Sequence, residues 1–79
     1  METVFTTKRN ETLYIGEDYN LFLRIPGSGY ATGYVRKDGI VFSDAQWAAS
    51  LLGEAYAEYL NKNEDAFKKQ FKRTEEAFT

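Results

Sequence analysis

The stretch Ile40-Val41-Phe42-Ser43-Asp44-Ala45-Gln46-Trp47 divides the chain into two halves of different character. Ser43 with Gln46 three residues later has the pattern of a capping box, with Ser43 as the N-cap. Phe42 and Trp47 flank it at the spacing of a hydrophobic staple, which makes Trp47 a core residue. Both devices mark a helix start, so the chain is predicted to change from strands to helix near Ser43.

Working back from this point, the sequence reads as strands. Lys37-Asp38-Gly39 holds an Asp-Gly hairpin turn, with Ile40–Phe42 as a short closing strand. Tyr30–Arg36 and Tyr19–Ile25 are antiparallel candidates joined by Pro26-Gly27-Ser28-Gly29. In Tyr19–Ile25, Tyr19, Leu21, Leu23 and Ile25 share one face and Asn20, Phe22 and Arg24 the other. Thr12–Ile15 is short, and Gly16-Glu17-Asp18 ends it. Thr3–Lys8 is β-branched and aromatic, and Arg9-Asn10-Glu11 is its turn.

Working forward, a strongly apolar helix is predicted over about 44–60. Trp47, Leu51, Ala55 and Tyr59 form one stripe, and Ala48, Leu52, Tyr56 and Leu60 a second. Ala45, Ala49, Gly53 and Ala57 form a third, whose small residues permit close backbone approach. A surface helix normally carries a narrower apolar arc, so this one is expected to need cover on more than one side. Asn61-Lys62-Asn63 interrupts it, and Asn61 with Glu64 suggests a second capping box. A shorter helix over about 64–78 follows, with Phe67, Phe71 and Phe78 expected to cover the first. The alternative cover is a partner chain, or a homodimer through the Ala45-Ala49-Gly53-Ala57 stripe.

The fold expected is therefore α+β in a single domain, residues 1–79. An antiparallel sheet of four or five strands (about 3–42) precedes the two helices. At 79 residues the core is thin, and six Tyr and six Phe supply much of the apolar area.

Composition narrows the chemistry. The chain has no Cys and no His and a formal charge of −2. Disulfides, thiolate zinc sites and cysteine nucleophiles are thereby excluded, along with the commonest acid–base residue. Met1-Glu2-Thr3-Val4 has no basic or apolar leader pattern, and no apolar run is long enough to span a membrane. A cytoplasmic, non-enzymatic protein with no cofactor and no metal is expected. Pro26–Gly29 leads into a strand rather than a helix, so it reads as a hairpin and not a phosphate loop. Glu17 with Asp18, and Glu54 with Glu58, are carboxylate pairs that read as solvated faces.

The outer sheet face is the candidate contact surface. If Leu21, Leu23, Ile25, Ala31, Gly33 and Val35 face the helix, the opposite face presents Phe22, Arg24, Tyr30, Thr32, Tyr34 and Arg36, with Tyr14 beside them. Aromatic residues and Arg are favoured anchors of protein interfaces. They can also stack bases and neutralise phosphates. Residues 1–40 carry five basic and five acidic side chains, whereas a backbone-tracking groove needs a positive excess. Contact with a protein or protein complex is therefore the first expectation and single-stranded nucleic acid the alternative. Lys68, Lys69, Lys72 and Arg73 form a secondary basic patch that reads as a solvated helix face.

Two resemblances bear on this reading. Ile15-Gly16, Leu21-Phe22-Leu23-Arg24, Gly39-Ile40 and Gln46-Trp47 fall in the order seen in the positive-cofactor-four family of single-stranded-DNA-binding coactivators. That resemblance implies a curved antiparallel sheet followed by a helix, dimerised through the helices. The short, cysteine-free, mildly acidic chain also resembles small phage-encoded host-takeover proteins. These are regulators that bind host RNA polymerase, or inhibitors of defence nucleases. This class-level likeness implies a non-enzymatic regulator or inhibitor acting on a host transcription or defence complex.

Overall fold

The computed structural model describes residues 2–78. Five strands precede two helices: β1 (Thr3–Thr6), β2 (Thr12–Ile15), β3 (Asn20–Ile25), β4 (Gly29–Val35), β5 (Val41–Phe42), α1 (Gln46–Lys62) and α2 (Glu64–Ala77). The sheet is an antiparallel meander in the order β1-β2-β3-β4-β5, each strand pairing with its neighbour in sequence. This is the α+β architecture expected, with the division between strands and helices where the sequence placed it.

The period-two alternation of β3 sets the inner face. Leu13, Leu23 and Ala31 stand in one row across β2, β3 and β4; Ile15, Leu21 and Gly33 stand in the next. These residues meet Ala48, Leu52, Ala55 and Tyr56 of α1, which are buried. Gly33 is the seat of the helix. A Cβ there would lie 2.9 Å from Leu52 Cδ1 and would run into the carbonyl of Phe42, so only glycine lets α1 and β5 approach together. At the far end of α1, Tyr59 meets Phe5 of β1 edge-on, ring centroids 5.5 Å apart.

The helix start differs from the expectation. Helix α1 begins at Gln46 with Ala45 as N-cap and no side-chain cap. Ser43 is instead spent on the sheet, its Oγ donating to the Thr32 carbonyl at 2.6 Å. The staple does not form either: Trp47 is 58% exposed and Phe42 lies on the outer sheet face. The buried stripe of α1 runs through Ala48, Leu52, Ala55 and Tyr56, and Trp47, one residue and about 100° before Ala48, lies outside it. In the third stripe Ala45 packs against the core, but Gly53 makes no close approach, since nothing lies within 4 Å of a Cβ placed there. Ala45 and Ala49 are half-buried, and Ala57 is exposed.

The link between the helices also differs. It is the single residue Asn63, in extended backbone (φ −133°) rather than the left-handed form. Its side-chain amide donates back to the Tyr59 carbonyl at 2.9 Å, closing α1, and Asn61 caps nothing. Strand limits move by a residue or two: β1 stops at Thr6, and β3 starts after Tyr19, which adopts a left-handed turn at φ 64°.

The larger correction is α2. Phe67, Phe71 and Phe78 do not cover α1; they are 53%, 58% and 75% exposed. The inward stripe contains Ala66, Gln70 and Arg73, and Gln70 is its hub. The Tyr56 hydroxyl donates to Gln70 Oε1 at 2.6 Å, and Arg73 Nη1 donates to the same oxygen at 3.0 Å. Gln70 Nε2 donates to the Lys37 carbonyl at 3.0 Å. Arg73 Nη2 reaches the Val35 carbonyl at 3.3 Å while the guanidinium lies 3.5 Å from the Tyr19 ring centroid. The second helix is thus held by a satisfied polar network rather than by aromatic burial.

This network gives Tyr56 a pH signature. Burial, reinforced by the neighbouring Tyr19, pushes its phenol up to about 12, with Arg73 opposing. In the unfolded chain a tyrosine ionises near 10. The contribution of Tyr56 is therefore full below about pH 10 and is lost as pH rises toward the folded value. Denaturant unfolding at a series of alkaline pH values should show stability falling across that window. The slope should be shallower in Tyr56→Phe.

Candidate functional site

The outer sheet face carries a band of aromatic rings fixed by strand register. Tyr14 stands beside Phe22 and Tyr34 beside Phe42. Tyr14 and Phe22 meet edge-on at 5.8 Å, Phe22 and Tyr30 stack at 5.1 Å, and Tyr34 and Phe42 stack at 5.9 Å. Phe22, Tyr30, Tyr34 and Phe42 are all exposed, although rings of this size usually find cover in a small domain. The sequence-predicted residues Tyr14, Phe22, Tyr30 and Tyr34 are therefore brought together on one face.

The two arginines sit at the periphery of this band. Arg24 pairs in register with Thr12 and Tyr30. Arg36 lies 5.2 Å from the centroid of the Phe42 ring and forms an ion pair with Asp38 at 2.9 Å.

Between the ring pairs the surface sinks. In β3 and β4 the outward residues alternate in size, so that Asn20 stands beside Tyr34 and Thr32 beside Phe22. The short side chains of Asn20 and Thr32, with Gly16 nearby, leave a groove of about 600 Å³ walled by Tyr14, Phe22, Tyr34 and Phe42. Its charged lining residues are Glu2, Asp18 and Asp44. Asp18 is fixed over Gly16, accepting from the Asn20 backbone N–H at 3.2 Å and from its side-chain amide at 2.7 Å.

Sequence reasoning missed Phe42 and the acidic lining. The staple spacing points Phe42 at Trp47, whereas its alternation with half-buried Val41 marks it as outward-facing. The three carboxylates are far apart in sequence, and only the register brings them to one groove.

The secondary basic patch does not hold together. Lys68 is paired with Glu64 at 3.3 Å. Lys69 and Lys72 are exposed. Arg73 turns inward to Gln70, Val35 and Tyr19, so it is a structural residue and not part of a solvated cationic surface. The pair Glu54 and Glu58 is not simply solvated either. Glu54 accepts from Arg9 at 2.6 Å and Glu58 from the Lys8 backbone N–H at 2.8 Å, which ties the β1–β2 turn to α1.

Comparison of the chain with protein-family models, curated proteins and solved structures finds no match. Among the described residues, no helix is long and apolar enough to cross a membrane.

Proposed function

We propose that the chain is a non-catalytic binding protein that regulates or inhibits a larger cellular machine by docking its outer sheet face on a protein partner. The observation that carries this reading is the presence on one sheet face of two ring groups, Tyr14–Phe22–Tyr30 and Tyr34–Phe42, with every ring but the half-buried Tyr14 exposed. Aromatic side chains bury a large area at low entropic cost, which is why they dominate interface energetics. The sheet beneath is rigid and pre-set, so little ordering is required on binding.

Arg24 and Arg36 act in this reading as peripheral contacts that set orientation rather than as central anchors. Single-stranded nucleic acid suits the face less well. Stacking rings are present, but the groove among them is lined by Glu2, Asp18 and Asp44, which repel phosphates. A host transcription or defence complex is the kind of machine implied by the likeness to small takeover proteins.

The test is capture from cell lysate by the wild-type chain and by Tyr34→Ala and Phe22→Ala, with each variant first shown to melt cooperatively. Truncating an exposed anchor should leave the fold nearly intact and weaken partner affinity tenfold or more. Equal capture of the same proteins by all three chains would remove the outer face from consideration.

A further inference from the structure

We infer that the segment docking in this groove is basic, presenting a lysine or arginine side chain between the ring pairs; this rests on the protein-docking reading above. Charge complementarity and ring geometry carry the inference. Glu2, Asp18 and Asp44 line the groove, and no Lys or Arg is among its described lining residues. Both peripheral arginines are outside it: Arg36 is engaged by Asp38 and Phe42, and Arg24 stands in the Thr12–Tyr30 row.

The walls suit a cation as well as the carboxylates do. Tyr14, Phe22, Tyr34 and Phe42 are the aromatic lining, and their ring faces attract an ammonium or guanidinium. A lysine or arginine stem is itself apolar and packs on the same rings while its head reaches a carboxylate. Asp18 is already oriented by Asn20, so its charge is in place before the partner arrives. An acidic segment placed here would bring its charge to three carboxylates of the same sign.

The experiment uses the full chain and three fluorescent probes: a peptide of alternating Lys and Thr, the same peptide with Glu for Lys, and single-stranded oligothymidine. Anisotropy titrations at low and high salt are repeated with Tyr34→Ala and with the double variant Asp18→Asn/Asp44→Asn. Asn at both positions keeps side-chain size, and circular dichroism melts check that each chain folds. The lysine peptide should bind most tightly, lose affinity with salt, and bind at least tenfold more weakly to either altered chain.

Preference for the Glu peptide, abolished by Tyr34→Ala, would overturn the basic partner yet leave the docking face standing. Tyr34-dependent binding of oligothymidine alone would overturn both readings. A lysine peptide that fails to bind, or that binds all chains equally, would overturn the inference. Capture by wild type and loss by Tyr34→Ala from lysate would still decide the docking face separately.

Discussion

Gly33→Ala should destabilise the domain by about 3 kcal/mol, at the upper end of what overpacking costs. The added methyl would meet the Phe42 carbonyl on one side and Leu52 Cδ1 on the other. The first of these is backbone, held by the pairing of Tyr34 with Phe42, and it cannot rotate away. Relief requires β5 to leave the sheet or α1 to lift from β4. The control is Gly53→Ala in α1, where the new methyl meets nothing within 4 Å. Alanine is the better helix former by about 1 kcal/mol, so Gly53→Ala should raise the denaturation midpoint while Gly33→Ala lowers it sharply. Equal midpoints for wild type and Gly33→Ala would mean that the helix does not seat on this glycine.

Leu52→Ala should cost about 3 kcal/mol, within the range for deleting a buried leucine in a rigid core. Leu52 is wholly buried and is the α1 side chain that reaches into the space above Gly33. Rigid strands below and the helix backbone above limit collapse around the void. A domain of this length has roughly 4–12 kcal/mol of total stability, so the loss would leave a measurably unfolded fraction on mild warming. Urea unfolding monitored by circular dichroism reads it directly. The double variant with Gly33→Ala should depart from additivity, because the two positions share one contact and the smaller side chain at 52 makes room for the methyl at 33.

The sheet was largely legible because period-two alternation is a local signal. Leu21 and Leu23 against Phe22 and Arg24 sorted the two faces, and the structure keeps that sorting. The Asp-Gly and Pro-Gly turns likewise marked hairpins that form, with Gly27, Gly29 and Gly39 all at positive φ. The helix entry was less legible for a physical reason. Ser43 had two uses for its hydroxyl, capping a helix or bonding the Thr32 carbonyl, and tertiary structure chose the second. Phe42 meanwhile stacks on Tyr34 on the outer face, so Trp47 has no staple partner.

For α2 the misreading came from ranking side chains by apolarity alone. Phe67 and Phe71 outrank Gln70 on any such scale, yet the space between Tyr56 and the Lys37 carbonyl needs donors and an acceptor. Glutamine supplies both; phenylalanine would leave a buried hydroxyl unmet. The spacing Ala66–Gln70–Thr74, residues without charge or large ring in a charged helix, is the signal that marks the inward stripe. Of the contact face, the rings were legible from alternation. The acidic groove was not, because it depends on which outward residues stand side by side in neighbouring strands.

The sequential strand order also bears on how quickly this chain finds its structure. Every strand pairs with the next one along, so each step of sheet growth closes only a short loop and sacrifices little chain entropy. Sheet proteins that join distant strands fold slowly because closure must precede contact. Here the meander can zip from the β3–β4 hairpin outward, and the remote events are the docking of the helices, with Leu52 descending onto Gly33, Glu54 and Glu58 meeting the β1–β2 turn and Gln70 reaching Lys37. Folding rate should therefore respond to substitutions along the hairpin, and unfolding rate to substitutions beneath the helix. A chain assembled in this order spends little time with unpaired edges, an advantage for a protein that keeps so many rings in water.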